Sequence, residues 1–537
     1  MLTTTPAHTI SSNIYGVSAA KFFDELPWST DSSVQSAVTT LNPEVLRFPS
    51  GGTTKWYHFK TTYMTSPLTA EEATHLVAGN ELRGYGNIEY DRIQEDDLED
   101  LTGPGPGGVS YQDQQNEATQ NYIRDFAQMA VATHAQVLFV ANIHYASPNE
   151  VKEQVQFLKD QGVNIVGVEL GNEEYSKGNF WLAGDPLIEG PIAVTNYLNA
   201  IAPYKTAIQA VLPTVPFAVT AAPKKTFGET EGVEGGFDAD GDFNEQWNLA
   251  LASQMGGKGY TKYVVHYYAN FLNCAANLPA TVANQASWGS CGLSELANIF
   301  SEDADTSLPK VLKWYADTYG STKKMWFTEW NINQDPSRTD GAFGNTLFHA
   351  IFTTNVFNTL AQVNVDKNDL VEYATYHTLS TDGLKNTMIS RKRAGETLND
   401  YPGSPSLSNR RASYFGMYSM RDLLRSNPSK ISVTATYSSD PGVVYVNAYK
   451  VGSSYYLHIA NTADKTITLR NVAIDGVPID RNTKLGSEYF IEGSGLFDAR
   501  GANKFSNNPP QLDEYIRTSA LKKIVVPAFS TGYIKIQ

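Results

Sequence analysis

The chain has 537 residues, 41% hydrophobic and 18% charged, with a formal net charge of -15. That length exceeds one ordinary core but suits one large α/β barrel with a smaller second domain, and the apolar-to-charged balance is that of a folded globular protein. The acidic balance argues against nucleic acid or an anionic membrane surface as partner, because the long-range field repels both, and no run reaches the roughly 18 apolar residues of a membrane helix.

In chain order, strands are predicted at Asn13–Ser18 and Val45–Gly52, with helical potential from Asp31 to Thr40 between them. Residues 53–118 are polar, aromatic and rich in Gly and Asp. A connection that long is usually functional, and it is expected to wall one side of a cleft. Helical periodicity returns at Tyr122, Ile123, Phe126, Met129 and Ala130, followed by a strand at Gln136–Ile143. Ser147-Pro148-Asn149-Glu150 reads as the N-terminal cap of a helix running to Gln161. Strands then follow at Ile165–Leu170, Pro216–Ala222, Lys262–Tyr268, Lys324–Asn331 and Leu370–His377. Helical stretches lie at 192–210 and Leu308–Tyr319, and Arg411–Arg425 closes the series. Eight strand candidates alternating with helical ones are the pattern of a (β/α)8 TIM barrel enlarged by loop insertions, here assigned to 13–428 with its long insertion at 53–118.

From residue 429 the pattern changes to short β segments, at Val443–Val446, Tyr455–Ile459, Lys465–Leu469, Lys523–Val526 and Thr531–Ile534. A C-terminal antiparallel β-sandwich over 429–537 is expected, with residues 1–12 as a candidate edge strand. Cys274 and Cys291 share one polar, loop-like segment. They either close a loop as a disulfide, which implies an oxidising compartment, or remain free thiols. No leader-like segment precedes the first strand, so the expected secreted or periplasmic location implies its removal.

Polar residues gather where the predicted strands end. In such barrels catalytic groups project from the C-terminal strand ends, which brings Arg47, Asn172, Glu173, His266, Tyr268 and Glu329 to one face. Glu173 and Glu329 each end an apolar run, where an unpaired carboxylate is costly and is therefore ion-paired, metal-bound or catalytic. Two strand-end carboxyl groups are what glycosidic cleavage requires.

With Leu46-Arg47-Phe48-Pro49-Ser50-Gly51-Gly52, Gly171-Asn172-Glu173, His266-Tyr267-Tyr268 and Thr328-Glu329-Trp330-Asn331 in this order, the chain resembles glycoside hydrolase clan A, most of all its α-L-arabinofuranosidase and heparanase-like families. The resemblance implies a retaining hydrolase, with no cofactor, acting on a plant or algal polysaccharide or its oligosaccharides. Glu173 would be the general acid/base and Glu329 the nucleophile. Arg47 is the natural cation to keep Glu329 ionised, Tyr268 could hold it by a hydrogen bond, and Asn172 would bind the sugar 2-hydroxyl. His266 either touches substrate or is a satisfied histidine at the barrel end, and Trp330 completes the expected substrate-binding set. Glu169 is expected to be a buried partner and Glu174 to point elsewhere. The chain departs from many relatives in having Pro-Ser-Gly-Gly rather than Pro-Gly-Gly, and 53–118 has no matching segment. The alternatives are a non-catalytic carbohydrate-binding protein on this scaffold or, among enzymes, an exo-acting arabinofuranosidase or a hydrolase of uronides or sulfated galactans.

Other signals are weaker. Asp238-Ala239-Asp240-Gly241-Asp242 resembles the front of a calcium loop, but its glycine comes two positions early and Leu249 stands where the closing carboxylate belongs, so an acidic turn is favoured. Ser390-Arg391-Lys392-Arg393 and Pro223-Lys224-Lys225 follow the eighth and fifth strands and either recognise an anion or form solvated surface. There is no phosphate-cradling loop, nucleophile elbow or zinc spacing, and no metal is expected.

Overall fold

The computed structural model describes residues 8–19, 28–29, 32–51, 54, 122–143, 146–175, 190–224, 242–269, 271, 274, 282–302, 304, 307–332, 343–379, 387–389, 410–437, 444–479, 485–498, 513–517 and 524–537. The expectations for the 53–118 insertion beyond Thr54, for the 238–241 turn and for the 390–393 triplet lie outside these residues.

The chain runs β1 (Gly16–Ser18), α1 (Ser32–Leu41), β2 (Val45–Phe48), α2 (Tyr122–Thr133), β3 (Gln136–Ala141), α3 (Pro148–Asp160) and β4 (Asn164–Leu170). It continues through α4 (Gly190–Ala200), α5 (Ala202–Gln209), β5 (Phe217–Thr220), α6 (Asp242–Gln254), β6 (Lys262–Ala269), α7 (Gln285–Ile299) and α8 (Leu308–Tyr319). β7 (Lys324–Ile332), α9 (Leu347–Asp366), β8 (Val371–Tyr376) and α10 (Ala412–Leu424) complete the first domain. The eight strands close into a parallel barrel in sequence order, with β1 paired to both β2 and β8. All eight are the strands expected from the sequence. The predicted stretch 192–210 is two helices, α4 and α5, with Pro203 in the first turn of the second. Helices α6, α7 and α9 were not anticipated. Cys274 and Cys291 are bonded, and Cys291 sits in α7 rather than in a loop.

Helix α3 shows how an outer barrel helix buries one face. In α3, Ser147 Oγ accepts from Glu150 N at 3.2 Å, Pro148 occupies the first turn, and Val151, Val155 and Leu158 face inward. Inside the barrel Val45, Leu138, Ala218, Val264, Trp326 and Tyr373, from six different strands, form a buried layer. On β4 the corresponding position is Gly167, where an added Cβ would meet the Trp326 ring and lie 2.9 Å from Leu138. Two residues further along β2, β4 and β6 come Arg47, Glu169 and His266, so strand alternation places a polar layer directly above the apolar one.

β7 breaks that alternation. Val264 lies opposite Trp326 and Val265 opposite Phe327, but His266 lies opposite Glu329, which leaves Thr328 as an extra residue. The pairing with β8 skips at the same place, from Phe327–Ala374 to Trp330–Tyr376. Alternation counted from the inward Trp326 would turn Glu329 outward. The bulge reverses the faces, so Glu329 points into the barrel mouth.

The C-terminal domain contains β9 (Ser429–Ile431), β10 (Val433–Thr436), β11 (Val444–Val451), β12 (Ser454–Asn461), β13 (Ile467–Ile474), β14 (Val477–Pro478), β15 (Leu485–Glu492), β16 (Asp513–Arg517), β17 (Ile524–Val526) and β18 (Ser530–Ile536). Among the described residues one sheet has the order β16-β15-β18-β12-β11-β9, and a smaller one joins β10, β13, β14 and β17. They enclose a separate core that includes Leu457, Ile459, Leu469, Phe490 and Ile534. Near the chain start, Thr9 forms a single antiparallel bridge with Ser429. The domain docks on α9, where Thr354 Oγ1 and Thr531 Oγ1 lie 3.0 Å apart and Tyr449 donates to Asn358 Oδ1 at 2.6 Å.

Gly167→Ala should overpack the barrel interior against Trp326. We expect a loss of about 1–3 kcal/mol, read as a lower midpoint in denaturant titration.

Candidate active site

The site is built around Arg47, which has no solvent exposure. Its Nε donates to both oxygens of Glu169, at 3.1 and 2.9 Å, and Nη2 to Glu169 Oε2 at 2.7 Å. Nη2 also donates to Asn172 Oδ1 at 2.9 Å, and Nη1 to Glu329 Oε1 at 2.5 Å and Ser50 Oγ at 3.3 Å. One guanidinium thus ties β2 to the ends of β4 and β7, in the forked geometry that only arginine offers. Glu329 completes its contacts by accepting from Tyr268 Oη at 2.7 Å.

Glu173 stands opposite, just beyond β4. Gly171 has φ +92° and no room for a Cβ beside the Glu174 carboxylate, which accepts from Asn172 N at 2.8 Å. The turn then places Glu173 itself at φ +54°, a left-handed conformation that a non-glycine residue adopts only when its surroundings impose it. Its Oε1 lies 2.9 Å from His266 Nδ1 and accepts from Tyr175 Oη at 3.2 Å. His266 Nδ1 is also 3.7 Å from Glu329 Oε2, so one imidazole nitrogen lies between the two carboxylates. An oxygen of each carboxylate and a ring nitrogen of His266 all fall within 4.8 Å of one another. Exposure separates the two: the Glu173 side chain is 33% accessible, that of Glu329 only 4%.

The electrostatics follow from these contacts. Burial opposes ionisation of Glu329, but neighbouring positive charge and the Tyr268 hydrogen bond outweigh it and hold its pKa well below the ordinary 4.5. That charge comes from His266, from His377, 3.8 Å from Glu329 Oε2, and from Arg47, while burial lowers the pKa of His377 itself. Burial would lower the pKa of His266 too, but the Glu329 charge and the hydrogen bond to Glu173 raise it overall. Burial and the adjacent Glu329 push the Tyr268 phenol up, so it remains a donor. Burial disfavours the Arg47 charge as well, yet Glu169 and Glu329 raise its pKa and keep it cationic.

Arg47, Asn172, Glu173, His266, Tyr268 and Glu329 are therefore brought together. Trp330 is not. It is fully buried and its ring makes edge contacts with Phe357 of α9 and Tyr376 of β8, because the bulge that turns Glu329 inward turns its neighbour outward. Glu169 is a buried partner of Arg47, as expected, and Glu174 points away from the Glu173 carboxylate to accept from the Asn172 amide. Tyr175 and His377 are additions. His377 ends the eighth predicted strand, where the logic that selected Glu329 also applies, and Asn331 Nδ2 donates to its carbonyl at 2.5 Å. Two buried nitrogens, His266 Nε2 and His377 Nδ1, have no hydrogen-bond partner among the described residues.

Glu173, His266 and Glu329 are spaced closely enough to ligate a metal ion. Arg47 already occupies Glu329 with a permanent positive charge, which opposes a second cation at that carboxylate. The other such cluster, Cys274, Cys291 and Glu295, has its sulfurs bonded to each other.

No protein-family model and no curated protein matches the sequence. Solved structures do match in fold. The GH51 arabinofuranosidase of Xanthomonas axonopodis pv. citri is 12% identical with a TM-score of 0.61, the match covering 99% of this chain and 98% of that one. The thermostable GH51 α-L-arabinofuranosidase of Thermotoga petrophila is 13% identical with a TM-score of 0.56, covering 98% and 97%. A Paenibacillus polymyxa xyloglucanase of glycoside hydrolase family 44 is 12% identical with a TM-score of 0.53, again covering 98% and 97%. What is shared with them is the fold, and the closed eight-stranded barrel followed by antiparallel sheets is the architecture expected from the sequence.

Because the folded-state pKa of Glu329 lies below its ordinary value, its ionisation stabilises the fold above pH 4.5, and that stabilisation is lost as the pH falls further. Below pH 4.5 the unfolding free energy of the wild type should fall more steeply than that of Glu329→Gln, by up to ~1.4 kcal/mol per pH unit in urea titrations.

Proposed function

We propose that the protein is a retaining O-glycosyl hydrolase that cleaves a plant or algal polysaccharide or its oligosaccharides. The observation that carries this reading is the pairing of a buried, ionised Glu329 with a more exposed Glu173, their oxygens within 4.8 Å, at the C-terminal mouth of the barrel. Retaining enzymes need carboxyl groups roughly 5 to 5.5 Å apart, whereas inverting ones leave a gap of about 6.5 Å or more for water. The fold shared with arabinofuranosidases and a xyloglucanase supports the same class.

In the first step Glu329 attacks the anomeric carbon while protonated Glu173 gives its proton to the leaving glycosidic oxygen. A glycosyl ester on Glu329 forms as the glycosidic bond breaks. Arg47 and Tyr268 hold the attacking carboxylate ionised and aimed. In the second step Glu173, now a carboxylate, deprotonates water, which displaces Glu329 with a second inversion and so restores the anomeric configuration. Asn172, fixed by Arg47, would hydrogen-bond the sugar 2-hydroxyl, and His266 can shuttle between the carboxylates as their charges change. The chemistry needs no cofactor. A secreted or periplasmic location suits both a polysaccharide substrate and the Cys274–Cys291 disulfide, and no helix among the described residues is long and apolar enough to cross a membrane.

A panel of polysaccharides and aryl glycosides, including arabinofuranoside, xyloside, glucuronide and sulfated galactan, should reveal turnover with a product of retained configuration by NMR. Glu173→Ala should lower the rate on substrates with poor leaving groups by about 10²–10⁴-fold, and Glu329→Ala by at least ~10³-fold. Azide should restore turnover to Glu173→Ala, since it attacks the ester without a general base. Unchanged rates in both variants, or an inverted product, would sink the reading, and binding without turnover across the panel would point to a carbohydrate-binding protein instead.

A further inference from the structure

A cavity lies between the two domains. It has a volume of about 240 Å³ and opens between α8 and α9 of the barrel and β9 and β11 of the sandwich, on the helical flank rather than at the strand ends. This is slightly below the ~300–1,000 Å³ of typical small-molecule sites, so it suits a ligand of single-sugar size. Its walls include Phe300, Asn355, Asn358, Lys430, Tyr445 and Asn447.

Lys430 is the unusual member. Its Nζ donates to Asn447 Oδ1 at 2.7 Å and to the Asn358 carbonyl at 3.4 Å, and it lies 5.1 Å from the centre of the Tyr449 ring. Among the described residues no carboxylate comes within ion-pair distance of it. Burial holds its pKa down, to about 7, opposed only by the more distant charge of Asp366. A partly buried ammonium without a counter-ion is disfavoured, and a bound anion relieves the cost. Around it, Asn355 Nδ2 and Tyr445 Oη are buried and lack hydrogen-bond partners among the described residues. At the rim stand Lys313 and Lys367, both paired with Asp317, and the carboxylates Glu302 and Asp366, so Lys430 is the amine of the lining without a carboxylate at ion-pair distance among the described residues.

We propose that this cavity binds a small hydroxylated carboxylate of the sugar-acid class, its carboxylate paired with Lys430 and its hydroxyls met by the Asn355 and Asn447 side chains and Tyr445. The site is separate from the cleft, and the proposal does not depend on the hydrolase reading.

Isothermal titration of the full chain with sodium D-glucuronate tests it, with D-glucose, acetate and inorganic phosphate as comparators. Glucuronate should bind one-to-one in the millimolar range or tighter, and each comparator at least ten-fold more weakly. Lys430→Met should abolish binding. Asn447→Asp should do so as well, because it supplies the amine with a fixed counter-ion and leaves the fold intact, so it decides the matter if Lys430→Met does not fold. Glu329→Gln, in the cleft, should bind glucuronate as the wild type does. Absence of saturable binding, equal binding of glucose, acetate or phosphate, or binding lost in Glu329→Gln but kept in Asn447→Asp would each overturn the proposal.

Discussion

The active-site mouth depends on one buried charge. Arg47 is enclosed at the end of β2, and a guanidinium there is tolerable only because Glu169 and Glu329 are presented to it from two other strands. Removing both carboxylates would leave an uncompensated buried charge, a defect typically worth several kcal/mol. Two carboxylates against one guanidinium leave an excess negative charge, which His266 is positioned to balance. Glu329 is therefore kept ionised by the same contacts that hold the barrel mouth together. Its ionised state follows from a structural ion network.

Geometry adds a second constraint. Strand alternation alone builds the polar layer on β2, β4 and β6, because Arg47, Glu169 and His266 each lie two residues beyond an inward-facing position. On β7 the same rule fails, and the extra residue Thr328 corrects it. The inserted residue aims the carboxylate inward and sends Trp330 into the packing against α9. Beyond β4, the left-handed backbone at Gly171 and Glu173, braced by Glu174, serves the same end. A bulge and a strained turn are thus the local devices that bring two distant carboxylates within 4.8 Å of each other.

Much of this was legible in the sequence. The strands are continuous apolar runs bounded by turn residues, so all eight are legible, and the residues that end them include those the structure gathers at the barrel mouth. The failures share a physical origin in what periodicity cannot report. Helix α9 lies between the barrel and the sandwich and is buried on nearly all sides, so its sequence has no polar face to reveal it. Trp330 was assigned to the substrate because a bulge is invisible to a residue count. His377 gave a signal, as the polar end of an apolar strand, but no motif drew attention to it. The pocket around Lys430 is assembled from α8, α9 and two sandwich strands, and nothing local in any one of these segments announces it.

The central claim is that Glu329 forms a covalent bond to the sugar. It is tested most directly by incubating the protein with activated 2-deoxy-2-fluoro glycosides of the arabinofuranosyl, xylosyl, glucosyl and galactosyl series and mapping the trapped intermediate by peptide mass spectrometry. The account predicts one added glycosyl mass on the peptide that carries Glu329, and none in the Glu329→Gln variant. A label on Glu173 or on any other carboxylate would contradict it.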